Sequence, residues 1–299
     1  MSSMDRLMVL GVLSAIRIYL VRSPVEVGKF RLSGFGRRFL ESRLHHSFRT
    51  EIGSRDGFRI EVDLNDWMGR YIGVWGEYEP ATAKVFRRLL RSGDVFVDVG
   101  ANIGYFSLLA ASLVGGKGKV YSFEPNPSLF PFLEKNLLRN GYHWAIPHQL
   151  AVFDEVGEIE FHVAPSDHTG RSSIRRLEDA EETIRVRTVT LDEQLSDVDS
   201  LRLMKLDVEG AEQNALLGSR SLIERNRPCV VIEMTDRYLK EFGYSSEDVH
   251  RFFRELEYEH FAIMDDDQLL RNSPPQEANQ YNALFVPGEM KNDILALCQ

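Results

Sequence analysis

The run 94-DVFVDV-99 leading into 100-GANIGYF-106 constrains the fold more than any other stretch of the chain. A run this short and this apolar suits a strand buried on both faces. Behind it, the apolar residues of 103-IGYFSLLAASLV-114 recur at helical spacing, until Gly115, Gly116 and Gly118 stop them. Buried strand, glycine turn and helix together open a βα unit, and the same beat continues downstream. The segment 119-KVYSFE-124 predicts a second strand and 128-SLFPFLEKNLLRN-140 a second helix, closed by Gly141. Further strands are expected at 147–152, 157–164, 184–191, 202–210, 228–234 and 281–287, with helices over 211–226 and 245–257. Ser245 or Ser246 is the expected cap of the last helix. Strands alternating with helices of this length predict a layered α/β sheet with helices on both faces. A hairpin-like pair late in the chain argues against a wholly parallel sheet.

Upstream, 57-GFRIEVDLND-66 alternates as a strand does, and residues 80–90 suit a helix with Pro80 near its start. We therefore divide the chain into a helical or irregular extension (1–50), a pre-core strand and helix (51–90) and a main domain (91–290). The stretch 7-LMVLGVLSAIRIYLV-21 is apolar but carries Arg17, and is shorter than the roughly 20 residues a helix needs to cross a bilayer. The expectation is a helix packed on the domain or in a dimer interface, with contact to a lipid surface as the alternative. Cys229 and Cys298 are the two cysteines, and no CxxC pair occurs, which argues against a disulfide scaffold or a structural zinc site. The usage fits a reducing, cytoplasmic compartment. A net charge of −9 and the lack of an aromatic–basic tract argue against a nucleic-acid partner.

In such a sheet, ligands bind beyond the carboxyl ends of the strands. Gly100 permits a tight turn and close approach of a ligand, Gly104 permits close packing of the first helical turn, and Asn102 is placed to cap the helix and to bond a ligand. The loop departs from a dinucleotide fingerprint, since Asn102 stands where GxGxxG has glycine. Glu124 closes the next strand, where a carboxylate accepts both hydroxyls of a ribose. Asp98, beside the turn, repels a pyrophosphate and attracts an ammonium group. This charge logic favours an adenosyl cofactor without phosphate, S-adenosylmethionine, over NAD.

A second acidic cluster is 205-KLDVEGAE-212. If the strand persists through it, Asp207 and Glu209 point the same way at the carboxyl edge of the sheet. Methyl transfer from a sulfonium needs alignment and exclusion of water, and a hydroxyl acceptor must also lose its proton. Asp207 is the first candidate for base or orienting acceptor, Glu233 the second and Glu209 the third. These carboxylates are also hard ligands of the kind Mg²⁺ accepts, but no metal is expected. In the polar loop 165-PSDHTGRSS-173, His168 and Arg171 are weaker candidates for substrate contact.

Several segments in order carry a resemblance: 76-GEYEP-80, 98-DVGANIGYFS-107, 123-FEPNP-127, 151-AVFDEVGEIEF-161, 188-TVTLDEQL-195, 205-KLDVEGAE-212 and 231-VIEM-234. From about residue 55 to 287 the chain resembles the FkbM family of S-adenosylmethionine-dependent methyltransferases. The resemblance implies a class I methyltransferase, Rossmann-like three-layer sandwich with a mostly parallel seven-stranded sheet whose last strand is antiparallel. It implies that Asp98, Gly100 and Gly104 form the cofactor loop, with Asn102 and Asn126 beside it, and that Glu124 is the ribose carboxylate. It also implies that the element bearing Tyr78 and Glu79 closes over the cofactor. The acceptor it implies is a hydroxyl on a sugar, glycolipid or other small natural product, with N-methylation also found in the family. Two other readings stay open: a non-catalytic adenosyl-binding or interaction protein, and an NAD-dependent oxidoreductase.

Overall fold

The computed structural model describes residues 3–22, 34–36, 39–40, 46–264, 270–271 and 280–298. The chain divides into two units, one of residues 1–79 with 165–170 and the other of residues 80–164 with 171–299.

In the first unit, helix α1 (Ser3–Arg22) buries Val9, Leu13 and Ile16, the i, i+4, i+7 stripe of an amphipathic helix, and contacts helix α2 (Trp67–Trp75). No helix among the described residues is long and apolar enough to cross a membrane. Strands β1 (Arg49–Gly53) and β2 (Arg59–Asp63) form an antiparallel hairpin. Neither β1 nor α2 was expected from the sequence. Asp66 caps α2 by accepting from Gly69 N–H, and its other oxygen accepts from Thr169 N–H at 2.9 Å and from the Thr169 hydroxyl at 2.8 Å.

The second unit begins with helix α3 (Pro80–Leu89) and is built on a large sheet. Strands β3 (Val95–Val99), β4 (Lys119–Phe123) and β5 (Ala145–His148) alternate with helices α4 (Tyr105–Val114) and α5 (Phe130–Arg139). Strand β9 (Leu201–Leu206) is followed by α6 (Glu212–Leu217) and α7 (Arg220–Asn226), then by β10 (Cys229–Met234), α8 (Asp236–Glu241), α9 (Ser246–Glu255) and β11 (Tyr258–Ile263). The two-residue β12 (Leu270–Arg271) precedes β13 (Tyr281–Pro287), and α10 (Lys291–Cys298) closes the chain. The spatial order is β12-β11-β13-β10-β9-β3-β4-β5. Pairing is parallel from β5 to β10, and β13 runs antiparallel to both β10 and β11. Leaving aside the short β12, this is the expected mostly parallel seven-stranded sheet with an antiparallel last strand.

The strands at 157–164 and 184–191 form, but outside the main sheet. Strands β6 (Ala151–Val152), β7 (Gly157–Val163) and β8 (Glu182–Val189) make a three-stranded sheet of their own, because β7 and β8 pair as a hairpin along their full length. The expected strand at 147–152 is thereby divided between two sheets. The core around the main sheet is continuous and aromatic at one end, where Phe253 stacks on Phe285 at 4.0 Å. Each such ring contributes about 1.5–3 kcal/mol by leaving water.

Candidate active site

The carboxyl edge of β3 carries the glycine turn. Gly100 has φ +82°, and a Cβ there would lie 1.9 Å from the carbonyl oxygen of Asp207. Asp207 N–H in turn donates to the Val99 carbonyl at 3.0 Å. The close approach expected of a ligand is thus made by the backbone of the acidic turn itself. Gly104, at φ +92°, packs as expected, with Leu133 of α5 only 2.7 Å from where its Cβ would be. The expectation that Asn102 caps α4 is corrected. The N-cap is Gly104, without a side-chain bond, and the Asn102 amide oxygen accepts from Ile103 N–H at 2.7 Å. Asn102 instead holds a left-handed backbone, φ +52°, that aims its N–H at Glu124.

Glu124 is the centre of this turn. One carboxylate oxygen accepts from Asn102 N–H at 2.7 Å and the other from Asn126 N–H at 2.8 Å. Burial pushes its carboxyl up to about 7, and those two N–H groups oppose the shift. Each oxygen retains a second lone pair, so a diol still finds an acceptor at each. Asn126, fully buried, accepts from Ser128 N–H at 2.9 Å and donates to the Ser172 hydroxyl at 3.1 Å. On the neighbouring strand His148 stacks on Phe123 at 4.8 Å, and its Nε2 is buried without a partner. The paired acceptor at Glu124 fits the diol of a ribose.

Asp98 lies beneath the turn rather than on its surface. Only 1% exposed, it accepts from the Ser107 hydroxyl at 2.6 Å, and Ser107 lies 2.7 Å from Ser122. Its register partner on β9 is Lys205. Burial raises the Asp98 carboxyl to about 6 against the opposing charge of Lys205. The Lys205 ammonium is 2% exposed, donates to Asp207 at 2.6 Å and sits 4.8 Å from the centre of the Phe106 ring. Asp207 follows β9 immediately and remains 24% exposed at the side chain. A carboxylate oxygen of Glu233, near the end of β10, lies within 4.8 Å of one of Asp207. The structure therefore brings the first two base candidates together.

Glu209 goes elsewhere. Strand β9 ends at Leu206, and Glu209 takes a left-handed backbone, φ +55°. The period-two alternation that would have aligned it with Asp207 stops before reaching it. Its carboxyl is raised to about 8, first by burial and then by the charges of Asp207 and Glu212, while Arg175 and Arg171 oppose the shift. Glu212 is structural: one oxygen accepts from Val208 N–H at 3.2 Å and Gly210 N–H at 3.1 Å, closing the turn. Glu79 and Tyr78 belong to the first unit, where Tyr78 packs edge-on against Trp67 and Tyr71. Glu79 has φ +43°. His168, also in that unit, lies 3.5 Å from Asp167. The Arg171 fork is occupied by Asp179 at 3.0 and 3.1 Å.

Lys205, Ser107, Ser122, His148 and Arg175 were missed in the sequence. One signal was available, namely a lone charge inside the otherwise apolar end of 201-LRLMKL-206.

Residues 98–260, just over half of the chain, match the methyltransferase FkbM domain. The chain is 30% identical over 145 residues to the hexuronic acid methyltransferase AglP of Haloferax volcanii, covering 47% of this chain and 57% of that protein. It is 31% identical over 159 residues to the 31-O-demethyl-FK506 methyltransferase FkbM of Streptomyces tacrolimicus, covering 43% of this chain and 60% of that protein. The matches thus span less than two thirds of either relative. A solved methyltransferase FkbM from Methylobacillus flagellatus aligns at 16% identity and a TM-score of 0.45, over 72% of this chain and 52% of that one. On the domain match, with the glycine turn and acidic turn of the motifs meeting at one sheet edge, the chain belongs to the FkbM methyltransferase family.

Proposed function

We propose that this chain is an S-adenosylmethionine-dependent methyltransferase that methylates a hydroxyl of a sugar, glycolipid or other small natural product. The observation that carries this reading is the carboxyl edge of the sheet, where Glu124 crowns the glycine turn and Asp207 and Glu233 meet two and three strands away. Bound S-adenosylmethionine would supply a methyl group already activated on a sulfonium. Glu124 holds the ribose diol, and the turn from Gly100 to Gly104 shapes the wall beside it. Asp207, kept in place by Lys205, orients the acceptor hydroxyl and takes its proton, with Glu233 beside it. The buried surroundings of Lys205 and Asp98 limit water near the transfer. A sugar acceptor is supported by the name of the Haloferax relative, a hexuronic acid methyltransferase.

Calorimetry with S-adenosylmethionine and NAD in parallel tests the reading. The methyl donor is expected to bind and NAD not. Glu124→Ala should weaken donor binding about tenfold or more, the scale of lost bonds to a charged group. Asp207→Asn should keep donor binding and lose methyl transfer. Binding of NAD in preference to the donor would sink the proposal, and donor binding without transfer to any hydroxyl would leave a binding protein.

A further inference from the structure

The segment from Arg171 to Arg175 ties the two motifs together. The Ser172 hydroxyl accepts from Asn126, next to Glu124, and from Ala164 N–H at 3.0 Å. The Ser173 hydroxyl donates to the Glu209 carbonyl at 3.1 Å and accepts from Arg175 N–H at 3.0 Å. Backbone bonds between Ser173 and His162, at 2.8 and 3.0 Å, fix the segment against β7. Arg175 is thereby held beside the acidic turn.

Its side chain is 9% exposed and its guanidinium carbon sits over the Tyr238 ring, 4.1 Å from the ring centre. Arg237 lies against the same ring at 4.6 Å, so positive charge gathers around it. The Arg175 guanidinium reaches the Glu241 carboxylate at 3.4 Å, and that side chain is 45% exposed. The Arg175 Nε–H is buried and has no acceptor. Glu209 feels the Arg175 charge but holds a proton near neutrality, since its carboxyl is raised to about 8, and its Oε2 is buried and unpartnered as well. The guanidinium is thus matched only by a half-exposed carboxylate at 3.4 Å, and its Nε–H and the nearby Glu209 Oε2 are left as buried polar atoms without partners, a setting that favours an anionic ligand. A carboxylate accepts from the Arg175 Nε–H and from the protonated Glu209 carboxyl. A phosphate dianion suits the place less, because the charges of Asp207 and Glu212 are felt at Glu209 and repel a second negative charge there.

We propose that Arg175, with Glu209 beside it, reads a carboxylate on the methyl acceptor, so that the acceptor is a hydroxy acid, with an acidic sugar as the first class to try. This rests on the methyltransferase reading above and adds which acceptors are chosen.

The test uses the full chain loaded with S-adenosylhomocysteine and matched pairs of ligands. One pair is methyl glucuronide and methyl glucoside, and the other is 3-hydroxybenzoate and 3-hydroxybenzyl alcohol. Calorimetry should show the acid of at least one pair binding about tenfold or more tighter than its neutral partner, the scale of a buried charged hydrogen bond. Selectivity in the first pair alone identifies the acid as a sugar acid. Selectivity in the second alone, or in both, identifies the carboxylate without the sugar. Arg175→Gln should abolish the preference and Arg175→Lys restore part of it, with far-UV circular dichroism and nucleotide affinity unchanged in both. Equal binding of acid and neutral members in both pairs, or of neither, overturns the proposal. So does a preference that survives Arg175→Gln, or an Arg175→Lys protein that folds but behaves as Arg175→Gln. Failure of the wild type to bind S-adenosylhomocysteine or the methyl donor sinks the methyltransferase reading instead.

Discussion

At the residue scale the central group is Lys205, a buried ammonium on β9 that bonds Asp207 and faces Asp98 across the strand pair. Removing one partner of such a pair leaves a buried charge unmatched, which typically costs about 3–5 kcal/mol. Lys205→Met should therefore destabilise the protein by roughly that amount in urea unfolding. The double variant Lys205→Met with Asp207→Asn should recover part of the loss, because the stranded charge is gone. Additive losses would show that the two side chains act independently. Lys205 was visible in the sequence as a charge inside an apolar run. Its partner was not, because pairing to the second residue along the strand depends on where the strand stops.

At the element scale, the site depends on two turns that touch through their backbones. Gly100→Ala should fail on both grounds available to it. It places a Cβ 1.9 Å from the Asp207 carbonyl oxygen, and it forces a side chain onto a left-handed backbone. Gly57, at φ +89° with nothing within 4 Å of its Cβ position, is the control for conformation alone. Gly57→Ala should cost about 1 kcal/mol. Gly100→Ala should cost several times more in a thermal melt and abolish binding of the methyl donor. Equal costs would mean that the approach to Asp207 is relaxed in solution. The glycine was legible as a turn residue, but what approaches it was not, since Asp207 is more than a hundred residues away in the chain.

At the scale of the whole molecule, burial raises four carboxyls among the described residues above their ordinary range: Asp98 to about 6, Glu124 and Glu212 to about 7, and the half-buried Glu209 to about 8. Their folded values exceed their unfolded ones, so the folded protein holds the extra protons. The stabilisation this gives is complete below the unfolded values near 4 and is lost as pH rises through 6 to 8. His260 works in the opposite sense. Burial first, and then His250, lowers it to about 4, so its contribution is lost as pH falls below its ordinary value. The thermal midpoint of the ligand-free protein should therefore fall between pH 6.5 and 8.5, and Glu209→Gln should flatten that fall. A midpoint that rises over this interval would refute the assignment. By itself, the sequence determined the βα alternation, the glycine turn, the late antiparallel strand and the carboxylates at strand ends, because periodicity, turn chemistry and strand-end position are local properties. The tertiary structure alone decided that β7 and β8 leave the main sheet, that Asp98 is buried on Ser107, and that Glu209 parts from Asp207. It also decided that Lys205 and Arg175 are buried cations held near the acidic turn. These outcomes depend on register and on desolvation, which arise only when distant segments pack against one another.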